Sequence, residues 1–107
     1  EVPPSLTLFA ADNNKLSAVP SLLFDVTTLV KLSLAHNSVS SLSFKVGRLT
    51  LLRTLDLSFN SLHALPPDLG RLEHCTELDA SHNQLTALPR ELDFMTALTT
   101  LKVANNS

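Results

Sequence analysis

The stretch Leu52-Arg53-Thr54-Leu55-Asp56-Leu57-Ser58-Phe59-Asn60-Ser61-Leu62 decides the fold of this chain. Its leucines follow a Leu-x-x-Leu-x-Leu spacing, and the stretch ends in Asn-x-Leu. The pair Leu55 and Leu57 falls on one face of an extended strand, because strand side chains alternate between faces. A single strand of this kind cannot bury its apolar face alone, so the stretch requires similar strands beside it.

The same pattern recurs along the whole chain. Asparagines recur every 23 residues, and placing each at the ninth position of a unit aligns the leucines into columns. Self-similarity at a fixed period of this length indicates stacked repeats. We therefore predict one domain over residues 1–107, with four full units and a partial fifth. The units are 6–28, 29–51, 52–74, 75–97 and 98–107.

Composition narrows the possible functions. The chain has 107 residues, 24 of them leucine, with one cysteine and a net charge of −2. One cysteine excludes an internal disulfide framework and a cysteine-rich metal site. A near-neutral charge leaves no electrostatic footprint for nucleic acid, and no apolar run approaches the roughly 18 residues of a membrane span. We expect neither nucleic-acid binding nor membrane insertion.

The segments 29–39 and 52–62 resemble the leucine-rich repeat family, which they match as L-x-x-L-x-L-x-x-N-x-L. The resemblance covers residues 6–107 and implies an α/β solenoid. Such a solenoid is a right-handed superhelix, here a curved horseshoe segment, with a parallel β-sheet on its concave face. Short helical, 3₁₀ or extended segments form its convex face. Three proline pairs are similar to the "LP" subclass of Ras-pathway scaffolds and scribble/erbin polarity proteins: Val19-Pro20, Leu65-Pro66 and Leu88-Pro89.

The second half of each unit must return over the core. Apolar residues three apart predict one or two helical turns over 67–73 and 90–96. The return over 44–50 contains Val46 and Gly47, and the second unit has Leu42-Ser43 in place of the proline pair. A looser or 3₁₀ form is therefore predicted there.

The ends of the array carry no polar capping unit. Only residues 1–5 precede the first repeat, and apolar repeat positions continue to Val103. Leucine-rich arrays normally need polar terminal units to cover the end cores. We expect an uncapped fragment of about 4.5 repeats, whose neighbours are further repeats or domains of a longer chain.

The asparagine column predicts a structural role. An inward-pointing amide has donors and an acceptor for the backbone of a tight turn, so stacked units would form an asparagine ladder. Cys75 occupies a leucine column, which predicts a buried and inert thiol. The ladder comprises Asn14, Asn37, Asn60, Asn83 and Asn106.

A binding surface is predicted on the concave face, at unit positions two, three, five, seven and eight, which point to solvent. Asp56 and Asp79 would lie side by side, and a cationic partner would relieve their repulsion. Phe59 lies between two histidine positions and has no core role, as is typical of interface hot spots. A basic or amphipathic partner element is therefore expected. The predicted binding residues are Lys31, His36, Arg53, Asp56, Phe59, Glu77, Asp79, His82 and Lys102.

Enzyme chemistry has little support. Ser58, a histidine and Asp56 could be grouped as a triad, but no G-x-S-x-G elbow accompanies them. His36 and His82 would lie about 10 Å apart, too far to share a metal ion. Two glycines make no phosphate-binding loop. We predict no catalysis, cofactor or metal.

The resemblance implies a protein–protein interaction module within a cytoplasmic scaffold or signalling protein, in agreement with the absence of a cysteine pair. Two alternatives stay open. The chain could be the repeat segment of a secreted or cell-surface receptor. It could also be the recognition arm of a kinase, GTPase, cyclase, phosphatase or ubiquitin ligase.

Overall fold

The computed structural model describes residues 7–106, and Leu6, the predicted first residue of the first unit, lies outside them. Each unit contributes one short strand, and each full unit then adds one 3₁₀ helix. The strands are β1 (Leu8–Ala10), β2 (Lys31–Ser33), β3 (Thr54–Asp56), β4 (Glu77–Asp79) and β5 (Thr100–Lys102). The 3₁₀ helices are η1 (Ser21–Asp25), η2 (Phe44–Arg48), η3 (Pro67–Arg71) and η4 (Arg90–Phe94).

The five strands form one parallel sheet in the order β1-β2-β3-β4-β5. Each strand pairs with the strand of the next unit in the register of the repeat, so Leu32, Leu55 and Leu78 lie side by side. All three leucines are fully buried. Each unit therefore adds one strand to a solenoid, as the repeat predicts.

The core lies between the sheet and the 3₁₀ helices. Its central leucines, such as Leu57 and Leu72, are fully buried. Burial falls toward the last units: Leu88 and Leu101 are each 40% exposed, although both belong to apolar columns. Leu42 and Leu65, at the same repeat position as Leu88, are buried, whereas Leu88 has a described neighbour in this column on one side only.

The four return segments have the same conformation. Each is a 3₁₀ helix of five residues, which confirms the short helical turns predicted over 67–73 and 90–96 and the 3₁₀ form predicted over 44–50. A proline in extended conformation precedes three of these helices. Ser43 takes its place before η2, where its side chain accepts a hydrogen bond from the Lys45 N–H at 3.1 Å. Because the Ser43 hydroxyl caps η2, this helix begins one residue after Ser43, just as the other three begin one residue after a proline.

Glycine lets consecutive 3₁₀ helices pack closely. A Cβ on Gly70 would lie 2.6 Å from the carbonyl oxygen of Glu91, and one on Gly47 would lie 3.0 Å from that of Asp68. Both contacts join one return segment to the next. These two positions therefore set how tightly η2, η3 and η4 stack.

Candidate partner-binding face

The outward side chains of the strands line up across the sheet. Lys31, Thr54 and Glu77 are register neighbours on β2, β3 and β4. Asp56, Asp79 and Lys102 form a second row on β3, β4 and β5, in which Lys102 is exposed and the two aspartates are half-buried. The nine residues predicted to bind a partner are all exposed or half-buried. We call the surface formed by these nine residues the concave face.

The two aspartates of the concave face are bound within their own units. Asp56 Oδ1 accepts hydrogen bonds from the Ser58 N–H at 3.0 Å and the Ser58 hydroxyl at 2.7 Å. Asp79 Oδ1 makes the same pair with Ser81 at 3.0 and 2.6 Å. One oxygen of each carboxylate therefore stabilises the turn after the strand, while Oδ2 has no hydrogen bond among residues 7–106.

These hydrogen bonds correct the prediction that position seven points to solvent. Ser58 is only 5% exposed, and Ala35 at the same position is also 5% exposed. The chain already bends toward the core here, so strand alternation no longer applies. In the second unit Asp12 of the preceding unit supplies the carboxylate, accepting from the Ser33 hydroxyl at 2.7 Å and the Ala35 N–H at 3.0 Å.

Three rings stack beside the aspartates. The centroids of His36 and Phe59 are 4.2 Å apart with an interplanar angle of 11°. Those of Phe59 and His82 are 4.1 Å apart at 9°. At one end of the stack, Asn105 Nδ2 lies 3.3 Å from His82 Nε2. We call His36, Phe59 and His82 the ring strip.

The backbone of the ring strip is left-handed. Position eight has a positive φ in every unit, between 55° and 62°. Asparagine and histidine tolerate this region better than other non-glycine residues. This feature was not predicted from the sequence, although four of the five residues in the column are asparagine or histidine and could have signalled it: Asn13, His36, Phe59, His82 and Asn105.

The asparagine column lies beneath the concave face. Asn60 Oδ1 accepts from the Val39 N–H at 3.0 Å, and its amide donates to the carbonyls of Leu34, Leu57 and Ser58. Asn37, Asn83 and Asn106 repeat this arrangement. Each of these side chains therefore joins neighbouring units. Within residues 7–106, the Asn14 amide makes no such carbonyl contact to another unit and donates to Asp12 O at 3.1 Å.

The remaining reactive groups are occupied or buried. The Ser58 hydroxyl donates to Asp56. Burial raises the pKa of the Cys75 thiol to about 11, against a smaller opposing effect of a backbone hydrogen bond with Glu77. No cluster of three His, Cys, Asp or Glu residues suited to a metal occurs among residues 7–106. In the same part of the chain, no helix is long and apolar enough to cross a bilayer.

The convex side has a shallow groove of about 310 Å³ between η3 and η4, which the sequence did not predict. A salt bridge of 3.7 Å joins Arg71 to Asp68 beside it, and the Phe94 ring lies against Gly70. The groove is lined by Pro67, Asp68, Gly70, Arg71, Glu91 and Phe94.

Comparison with known proteins identifies the family. The family profile described as "Leucine rich repeat" matches residues 50–107, which is more than half of the chain. This chain belongs to the leucine-rich repeat family. Proteins of this family generally act as interaction modules rather than enzymes. Among curated proteins, none has a significantly similar sequence.

Two leucine-rich repeat structures share the fold. A leucine-rich repeat protein of Leptospira interrogans is 33% identical, with a TM-score of 0.85 over 87% of this chain and 24% of its own. The functional domain of InlJ from Listeria monocytogenes, which includes a cysteine ladder, is 27% identical. Its TM-score is 0.84 over 95% of this chain and 21% of its own. The chain thus spans about a quarter or less of either protein.

Proposed function

We propose that this leucine-rich repeat segment binds a partner protein through its concave face and belongs to a cytoplasmic scaffold or signalling protein. The observation that carries the proposal is the contrast between the two sides of each strand. The inward columns are apolar in every unit, whereas the outward rows differ in charge and size from one strand to the next. Packing does not restrict the outward rows, so they are available for recognition.

The chemistry of the concave face favours a partner with a basic or amphipathic element. Asp56, Glu77 and Asp79 lie together at its centre, and the two aspartates each retain one oxygen for an incoming cation. Phe59 is 42% exposed beside them. An exposed ring next to acceptor oxygens suits a segment that carries both apolar and cationic side chains.

The test is affinity purification of the full-length protein from its own cells, with partners identified by mass spectrometry. The Phe59→Ala/Glu77→Lys variant should lose the partner, since it removes the exposed ring and reverses one central charge. Glu77 is exposed and makes no salt bridge among the described residues, so the fold should persist. Circular dichroism and the unfolding midpoint check this.

The matched control changes the convex side. Arg71→Ala/Phe94→Ala alters two exposed residues of the convex groove and should leave binding unchanged. If the convex variant loses the partner and the concave variant keeps it, the binding surface is on the other side of the solenoid and the proposal fails.

The cytoplasmic assignment has its own test. It is supported by the single cysteine, because secreted leucine-rich arrays are commonly stabilised by disulfides. Fractionation of cells that express the tagged full-length protein should place it in the cytoplasm. A signal peptide and paired cysteines in the full-length chain would instead favour the receptor alternative.

A further inference from the structure

The ring strip combines two features that the repeat turn alone does not require. Phe59 has the left-handed backbone that position eight adopts in every unit, with φ of 56°. The residue is nevertheless 42% exposed. Both faces of its ring lie against imidazoles. An exposed aromatic ring held in place in this way is typical of an interface anchor.

The two imidazoles make the ring strip sensitive to pH. Histidine is the side chain whose charge ordinarily changes between pH 5 and 8. With centroids about 4 Å from Phe59 on either side, His36 and His82 would place two positive charges along the edge of the ring strip when protonated. Asn105 Nδ2 contacts His82 Nε2, and neither imidazole forms a salt bridge within residues 7–106.

The charges of the neighbouring residues determine how protonation of the two histidines alters the net charge of the surface. The strands and the turns that flank them carry four carboxylates and four basic groups, so the formal charges of this side of the solenoid cancel. Protonation of both histidines therefore changes the surface from neutral to +2. The carboxylates are Asp12, Asp56, Glu77 and Asp79, and the basic groups are Lys15, Lys31, Arg53 and Lys102.

We infer that the ring strip is the anchor for a basic partner segment and releases that segment when His36 and His82 become protonated. This inference rests on the proposed function. In the bound state an apolar side chain of the partner contacts the edge of Phe59, and a lysine or arginine reaches Asp56 or Asp79. The two imidazolium charges then repel this cation and weaken its contact with the carboxylate.

The test begins with a random peptide library displayed on phage. The library is panned on the purified chain at pH 7.5 and eluted at pH 5.5, at one low ionic strength. The eluted peptides should be enriched in lysine or arginine together with apolar residues. The best peptide should bind about fivefold more weakly at pH 5.5 than at pH 7.5, as expected for two added charges near a partner cation.

The decisive variant is His36→Gln/His82→Gln, which keeps polar side chains but removes both titrating groups. It should bind the peptide with nearly the same affinity at the two pH values. The matched control is His63→Gln/His74→Gln, since both of these histidines are exposed on return segments. The control should retain the full pH dependence.

A separate measurement tests the stacking of Phe59 between His36 and His82. Phe59→Leu should shift the imidazole proton resonances of His36 and His82, because they lose the ring current of Phe59, and should weaken peptide binding at pH 7.5.

The possible failures are distinguishable. If no peptide is selected at pH 7.5, both the proposed function of the concave face and the pH-dependent release are rejected. If the selected peptides are acidic, the basic partner is rejected. If basic peptides bind but the His36→Gln/His82→Gln variant keeps the wild-type pH dependence, only the release by histidine protonation is rejected and the proposed function stands.

Discussion

Asn60 shows how one side chain can join two units. Its four hydrogen bonds satisfy backbone groups that Ala could not reach, and the side chain is only 9% exposed. We expect Asn60→Ala to lower the free energy of unfolding by about 3 kcal/mol, because buried polar groups lose their partners. Urea denaturation followed by circular dichroism measures this loss.

Asn14 provides the matched control for that prediction. It occupies the same repeat position, but it is exposed and its amide donates to Asp12 O. Asn14→Ala should change the free energy of unfolding by about 0.5 kcal/mol or less. Equal losses in the two variants would contradict a ladder whose stabilisation depends on bonds between units.

Cys75 should make stability depend on alkaline pH. Burial raises its folded pKa to about 11, whereas the unfolded chain releases the proton near 9.0. The folded pKa is the higher one, so this contribution is complete below pH 9 and is lost as the pH rises toward 11. Urea midpoints at pH 8 and pH 10.5 should differ more for the wild type than for Cys75→Val. A thiol reagent at pH 8 should label the native protein far more slowly than the unfolded chain.

Among single residues, the sequence predicted the role of those whose chemistry allows only one role at their position. An amide recurring beside a turn has to bond the backbone, which is why the asparagine column could be assigned a structural role. The left-handed column at position eight was not predicted, since strand alternation assigns faces and carries no information about φ. The stacking of Phe59 between His36 and His82 depends on that backbone turn.

At the level of elements, the glycines of η2 and η3 limit how the returns stack. Gly70→Ala should lower the free energy of unfolding by about 2 kcal/mol, because its Cβ would meet the Glu91 carbonyl at 2.6 Å and the backbone must shift. Gly47→Ala should cost less, since its contact with the Asp68 carbonyl is 3.0 Å and that with Arg71 is to a flexible side chain. Thermal unfolding of the two variants should show this order, and the reverse order would exclude close helix packing as the cause.

The strands were easier to predict than the returns. A Leu-x-Leu step restricts a segment to a strand that buries one face, and β3 follows this step. Apolar residues three apart, such as Leu69 and Leu72, fit an α-helical turn and a 3₁₀ turn alike. Unit length decides between them: each return has room for five helical residues, and short helices of this size adopt i→i+3 bonds.

Over the whole molecule, the period of 23 residues predicted the sheet order and register, because identical units can align in one way only. It could not predict how the concave face is used. The sequence placed Asp56 and Asp79 together, but the serines that bind one oxygen of each carboxylate became visible only in the structure. Those bonds depend on the bend after the strand, which the alternation of inward and outward residues in the sequence does not encode.

Stability in a stack of this kind comes from contacts between neighbouring units, so it should fall from the middle toward the ends. Leu55 is fully buried with Leu32 and Leu78 beside it, whereas Leu101 on β5 is 40% exposed. We expect Leu55→Ala to cost about 3 kcal/mol and Leu101→Ala about 1 kcal/mol, measured by urea denaturation. Amide hydrogen exchange should likewise protect β3 more than β1 or β5. Equal losses and uniform protection would mean that the units unfold as one body, without the nearest-neighbour behaviour that the repeat implies.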